Sequence, residues 1–442
     1  MTKSDLSEKE IQELKRENDI LRRENKYLRN LTNSKRFRFA EKIANGYNGI
    51  FPKNTKRRNI VSKTAKLMSK PIVLRNNRRD RKIQQKVNKL ATRYDNVIVL
   101  NSIPWDIKLK QRPHHFAREF SKAGFLVIYL EFDNPLKRFR VVGDGVVTVN
   151  SVEYLDEIPK IAKNCYFLSP NNMPTKFAVL KREVDLGYKL IYDYLDEFHE
   201  DISGDLNIQM EVWDRLLELK PVLCLATAKR LYDDLTKHLG KSQEVVMASN
   251  AVNIEHFNFQ KNKESAPGDL KEVLKRKKPV VGFYGALAPW IDFELLNKIA
   301  KKHAEWEFVY LGSDYGNAAK DLSVGENVHN LGVKNYEVLP KYTRYFDCAM
   351  IPFKKGEIAK ATSPVKLFEY MAAGLPTVCT RDLKECDGYK YVYMSNSDEE
   401  FEKNIAKAIS DHKDEKKRLV LLSQAKKNTW AERVRVILEA LD

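Results

Sequence analysis

The chain has 442 residues, 43% hydrophobic and 31% charged, with a formal net charge of +18. That length suits two globular units and an appendage. No apolar run reaches the ~18–20 residues of a membrane span, and the polar start MTKSDLSEKEIQELKREN lacks the apolar core of a secretory signal. The five cysteines, Cys165, Cys224, Cys348, Cys379 and Cys386, show no CxxC spacing. They are expected to be buried thiols in a reducing compartment rather than zinc ligands or disulfides.

Residues 1–32 carry an a/d heptad, with Ile11, Asn18 and Asn25 seven apart and Leu14, Leu21 and Leu28 three residues after each. Asparagine at a positions favours a parallel two-stranded coil. A homodimer through residues 8–31 is the expectation; a single amphipathic helix is the alternative.

The charge is concentrated in residues 33–93, which hold 19 Lys/Arg against two acids, Glu41 and Asp80. Residues 94–442 balance 51 bases against 51 acids. Phe37, Ala40, Ile43, Ala44, Tyr47 and Phe51 share a helical face beside this charge, as at an anionic membrane surface. A solvated linker is the alternative. Nucleic acid is not expected, because the order of zipper and basic region is the reverse of a bZIP factor and Gly46, Gly49 and Pro52 interrupt the helix.

From residue 94 short apolar strands alternate with helices. Strands are expected at NVIVL (96–100), LVIYLE (126–131), KLIYDYLD (189–196), VLCLAT (222–227) and EVVMASNAV (244–252), with helices near 112–123 and 228–239. After a polar stretch the alternation restarts with PVVGFYG (279–285), EFVYLG (307–312), VHNLG (328–332), CAMIPF (348–353) and TVCT (377–380). The fold class is therefore α/β, with two Rossmann-like doubly wound domains at 94–260 and 261–425 and a final helix in 426–442. Ligand should bind at the strand C-terminal ends, between the domains.

SPVKLFEYMAAGLPTV (363–378) reads as a helix over 364–373, with Ser363 as N-cap, Pro364 at N1 and Gly374 as its left-handed stop. Lys366 and Glu369, at i and i+3, share a face near the positive helix end. Phosphate suits that end, and a carboxylate one turn along suits the paired hydroxyls of a ribose. An ordinary surface ion pair is the plain alternative.

This stretch resembles the KxxEYxAxGxPVV donor motif of GT-B glycosyltransferases, in the bacterial family 1/family 4-like group that includes teichuronic-acid-type enzymes. FYGALAPWIDFELL (283–296), SIPWDIKLKQRPHHFAREFSKAGFLVIYLE (102–131), IYDYLDEF (191–198), ATAKRLYDDL (226–235), NAVNIEHF (250–257) and NTWAERVRVILEAL (428–441) resemble further landmarks of that group. The resemblance implies ribose binding by Glu369 and diphosphate binding by Lys366, Ser363 and Val365. Gly285 and Ala286 would approach the diphosphate, Gly332 and Val333 would border the base, and the last helix would return to the N-terminal domain.

Trp105 and Arg112 are candidates for the acceptor side. Lys366 is expected to stabilise the leaving diphosphate, without metal or other cofactor. His114, His115, Asp133, Asp193 and Asp196 are candidates for a base, with packing or capping roles as alternatives. The group often has a second glutamate eight residues before Glu369, where this chain has Ala361.

The implied function is transfer from a nucleotide diphosphate sugar to a lipid-linked or polymeric surface-glycan acceptor, with retention favoured over inversion. The expected location is the cytoplasmic, inner face of the cell membrane. Alternatives are a degenerate GT-B binding or scaffold protein and a nucleotide-sugar 2-epimerase.

Overall fold

In a computed structural model of the chain, the described residues are 79–131, 139–173, 175–202, 205–240, 243–261 and 265–442. The heptad region, Asp133 and the basic segment up to residue 78 lie outside them.

The first described element is a helix over 79–91. Its Ile83, Val87 and Ala91, four residues apart, enter the core of the first sheet domain. The tail of the expected 33–93 surface segment is thus part of that domain. Its apolar residues, Ile83, Val87, Leu90 and Ala91, are outnumbered by the bases Arg79, Arg81, Lys82, Lys86 and Lys89, so charge obscured the buried stripe.

The first sheet contains β1 (Asn96–Asn101), β2 (Leu126–Leu130), β3 (Phe139–Gly143), β4 (Val146–Val149), β5 (Asn164–Pro170), β6 (Lys189–Tyr194), β7 (Leu223–Ala226) and β8 (Val245–Met247). Its order is β3-β4-β2-β1-β5-β6-β7-β8, parallel except for the β3–β4 hairpin. Along β1, Val97 and Val99 face one core cluster while Ile98 and Leu100 face another. A strand covered on both faces needs such an unbroken apolar run. The periodicity did not single out β3, β4 or the central β5. Asn164, Ser169 and Pro170 break the apolar pattern of β5, which the flanking β1 and β6 hold in register.

The second sheet contains β9 (Val280–Tyr284), β10 (Glu307–Leu311), β11 (Val328–Asn330), β12 (Cys348–Ile351), β13 (Thr377–Thr380) and β14 (Val392–Ser395). It is all parallel, in the order β11-β10-β9-β12-β13-β14. The order reverses between β9 and β12. That leaves a crevice at their C-terminal ends, the usual ligand position in such sheets.

The helix Trp430–Leu441 packs on the first domain. Its Trp430, Val434 and Ile437 share a core cluster with Phe116 and Phe120. All five cysteines are buried free thiols. No described helix is long and apolar enough to cross a membrane.

Candidate functional site

Three strand ends build one side of the crevice. Gly285 follows β9 with φ +133°, a backbone region open chiefly to glycine. Its N–H donates to Leu311 O at 2.9 Å, and Gly312 N–H donates to Gly332 O at 3.0 Å. A Cβ on Gly312 would lie 1.7 Å from Gly285 O, so only glycine permits this approach. Gly332 is left-handed at φ +70°, Val333 beside it is exposed, and Ala286 is half-buried.

The helix Val365–Ala372 supplies the other side. It starts one residue later than its sequence suggests. Pro364 is the N-cap and has no side-chain capping bond. Ser363 is turned toward Asn250 instead: its Oγ accepts from Asn250 N at 3.2 Å, and its carbonyl accepts from Asn250 Nδ2 at 2.7 Å. Leu367 N–H donates to Pro364 O at 3.1 Å; the Val365 and Lys366 N–H groups, which a helix start leaves without intrahelical acceptors, remain available to an anion. At the other end, Gly374 at φ +66° and the Leu375 N–H to Tyr370 O bond of 2.9 Å make the expected left-handed stop.

Lys366 and Glu369 do not form a surface ion pair. Glu369 is 3% exposed, and its Oε2 accepts from Tyr284 Oη at 2.5 Å. Burial raises its carboxyl pKa to about 7, against the Tyr284 hydrogen bond and the nearby Lys366 charge. Tyr370, the next residue, accepts from Tyr284 N at 3.0 Å and fixes the same corner. Lys366 is half-buried, with Nζ 5.0 Å from the Phe283 ring centroid and 5.4 Å from that of Phe353. Burial lowers its pKa to about 8, opposed by Glu369. A Cβ at Gly285 would lie 2.9 Å from Lys366 Nζ. The amine therefore points at the glycine turn, among aromatic rings and without a carboxylate of the described residues in ion-pair range.

The remaining candidates fall into separate clusters. Arg112 holds both oxygens of Asp193, at 2.8 and 3.1 Å, and donates to Ala248 O at 2.7 Å. Both side chains are buried. Asp196 accepts from Asn172 Nδ2 at 2.7 Å. His115 stacks on Trp430 with centroids 4.9 Å apart, and burial lowers its pKa to about 3. His114 is likewise lowered by burial, to about 4. Trp105 meets Tyr129 edge-on at 4.9 Å, and its backbone N–H donates to Glu131 Oε2 at 2.9 Å. Val365 packs against the cluster that holds Trp430.

The crevice thus gathers Gly285, Gly332, Lys366 and Glu369, while Asp193, Arg112, His115 and Trp105 belong to the first domain. Sequence reasoning missed Tyr284, Gly312 and Asn250 as working parts. All three lie inside recognised segments, but only their tertiary partners reveal what they do.

The sequence pattern of the family described as Glycosyl transferases group 1 matches residues 278–411, which contain this crevice. Those residues are thus similar to a group 1 glycosyl transferase domain. A protein provisionally named a teichuronic acid biosynthesis glycosyltransferase, TuaH, from Bacillus subtilis (strain 168), is 29% identical over 205 residues. The match takes in 43% of this chain and about half, 50%, of that relative's length.

The two-domain fold is shared with sucrose-phosphate synthase from Thermosynechococcus elongatus, at TM-score 0.55 and 12% identity, over 78% of this chain and 94% of that one. It is also shared with HepE of Anabaena in complex with UDP and glucose, at TM-score 0.55 and 12% identity, over 78% and 99%. At these identities the likeness is one of fold. The matched residues are the second sheet with its Lys366–Glu369 helix, and both sheets together share the two-domain fold of these structures.

Proposed function

We propose that this chain is a glycosyltransferase that uses a nucleotide diphosphate sugar. The observation carrying the proposal is the placement of the Lys366 amine against the Gly285 turn and of the buried Glu369 carboxylate one turn further along the same helix. The diphosphate lies across the glycine turn and the helix N-terminus, neutralised by Lys366. The ribose hydroxyls donate to Glu369, whose Oε1 takes no hydrogen bond from any described residue. Gly332 and Val333 border the base. The complex of HepE with UDP and glucose agrees with such a donor.

In the reaction, the anomeric C–O bond to the β-phosphate breaks and a C–O bond to an acceptor hydroxyl forms. The hydroxyl proton passes to the departing phosphate oxygen. Lys366 and the helix N–H groups stabilise the developing diphosphate charge electrostatically, with no metal required in the proposal. Retention is favoured because Arg112 occupies both oxygens of Asp193 and His115 is a weak base, so neither is suited to the proton abstraction that inversion needs.

The acceptor is proposed to be a lipid-linked or polymeric surface glycan, in keeping with the teichuronic acid relative, and the basic segment to hold the enzyme at the inner membrane face. Ala361 is buried at 1% exposure and offers no second carboxylate. For that reason a binding protein with this fold is the competing reading.

The test is thermal stabilisation by a panel of nucleotide diphosphate sugars, followed by assay of the stabilising donor for hydrolysis and transfer. Stabilisation by one donor with nucleoside diphosphate release supports the enzyme. Stabilisation without turnover leaves the binding protein, and a flat panel sinks both.

A further inference from the structure

The lysines of this chain differ in what holds their amines. Many meet a carboxylate at the surface: Lys298 pairs with Asp398 at 2.9 Å and Lys302 with Glu402 at 2.7 Å. Asp398 raises the pKa of Lys298, and Asp411 does the same for Lys417. Lys366 is different. Its Nζ has no hydrogen bond or ion pair with a described residue, and its side chain is half-buried rather than sealed. Four groups face it. Phe283 in β9 and Phe353 after β12 wall it, with centroids at 5.0 and 5.4 Å. Glu369 on the same helix and Cys386 from the turn Lys384–Cys386 favour its charged form. Both are themselves held back, Glu369 by the Tyr284 hydroxyl and Cys386 by burial that keeps its thiol protonated. Burial of the amine outweighs them, and its pKa falls to about 8. Near that pH a substantial share of Lys366 is neutral and so nucleophilic, where an ordinary lysine is almost wholly protonated.

Beside this amine stands a place for an anion. The Val365 and Lys366 backbone N–H groups are open at the helix start. At the Gly285 turn a Cβ would lie 2.9 Å from Nζ, so no side chain stands between the turn and the amine. A neutral amine against an oxyanion site fits a molecule that joins a phosphate directly to an electrophilic carbon. An acyl phosphate is such a molecule. Its phosphate suits the N–H groups, and its carbonyl carbon then lies next to the amine.

We propose that Lys366 is a modification site, acylated on Nζ by small acyl phosphates such as acetyl phosphate, which dock their phosphate on the glycine turn and the helix start. The Nζ lone pair attacks the carbonyl carbon, and the C–O bond to the phosphate breaks. Inorganic phosphate departs and takes up the proton lost by the amine. The product is an uncharged amide, larger than the amine by an acyl group. It removes the charge proposed to neutralise the nucleotide diphosphate and fills the space beside Gly285. Acylation thus shuts the nucleotide site. That consequence rests on the transferase reading; the acylation itself rests only on the amine and the anion site beside it.

The test incubates the full chain with acetyl phosphate and follows acetylation lysine by lysine by peptide mass spectrometry. At pH 8 Lys366 should react at least ten-fold faster than the exposed Lys301 and Lys320. Its rate should level off above about pH 8, whereas that of an ordinary exposed lysine keeps rising toward pH 10. Inorganic phosphate should slow the reaction at Lys366 and leave Lys301 and Lys320 unchanged. N-acetylimidazole, an acetyl donor without phosphate, should lose the preference. Protein acetylated at Lys366 should bind UDP at least ten-fold more weakly than untreated protein. Equal rates at Lys366 and the exposed lysines, no slowing by phosphate, a preference kept with N-acetylimidazole, or an unchanged UDP affinity after acetylation overturns the proposal. Selective, phosphate-sensitive acetylation of a wild-type chain that binds no UDP overturns the donor reading instead.

Discussion

Tyr284 Oη donates to Glu369 Oε2 at 2.5 Å, joining the end of β9 to the helix that follows β12. The bond bridges the point where the sheet order reverses. It holds the carboxylate in its charged form against burial, which pushes its pKa up to about 7. Tyr284→Phe should raise that value further and move the acid limb of nucleotide binding to higher pH. Glu369→Ala should remove the ribose contact and weaken UDP binding by about 1.5–3 kcal/mol, the range for hydrogen bonds to charged groups. Titration calorimetry across pH 6–9 measures both.

The same group makes a stability prediction of definite sign. The folded pKa of Glu369 lies above its ordinary 4.5. Its contribution is therefore complete below that ordinary value and is lost as pH rises through about 7. Glu369→Gln should leave the unliganded protein more stable than wild type at pH 8, by one to a few kcal/mol, with the difference vanishing below pH 4.5. Denaturant midpoints at the two pH values decide it.

Lys366 titrates in the opposite sense. Its folded pKa of about 8 is below the ordinary 10.5, so near pH 8.5 much of it is neutral before ligand arrives. A diphosphate favours the ammonium form. UDP binding at that pH should take up a proton, seen as a heat that varies with buffer ionisation enthalpy. Lys366→Met should abolish the uptake.

The two glycines should fail differently. On Gly312 a Cβ would meet backbone, at 1.7 Å from Gly285 O, so Gly312→Ala should cost ~3 kcal/mol or more in stability. On Gly285 it would meet the flexible end of Lys366, at 2.9 Å, although the φ of +133° adds strain. Gly285→Ala should lower diphosphate affinity more than Tm.

The Arg112–Asp193 pair tests whether the aspartate is structural. Arg112→Met alone strands a buried carboxylate and should cost about 3–5 kcal/mol, while R112M/D193L should recover much of that. If Asp193→Asn preserved Tm yet abolished turnover, the aspartate would instead have a catalytic role.

Much of the crevice was legible because its signals are local. Lys366, Glu369, Gly374 and Pro376 stand within eleven residues, and strand–helix alternation placed them after a buried strand. The less legible parts depend on distant partners. Asn250 reaches Ser363 across 113 positions, which is why a good capping serine leaves Pro364 as the N-cap and the helix to start at Val365. Arg112 closes on Asp193 across 81 positions and occupies a carboxylate that looked like a base.

The sequence by itself determined the alternation of strands and helices, the Lys366–Glu369 helix with its glycine stop, and the one-turn spacing of its lysine and glutamate. These follow from periodicity and backbone preference, which act over a few residues. Only the tertiary structure decided which charges are free and which are spent, because desolvation and pairing depend on what the fold packs against each group. It left Lys366 without an ion-pair partner among the described carboxylates, held Glu369 by a phenol, and enclosed Asp193 within a guanidinium.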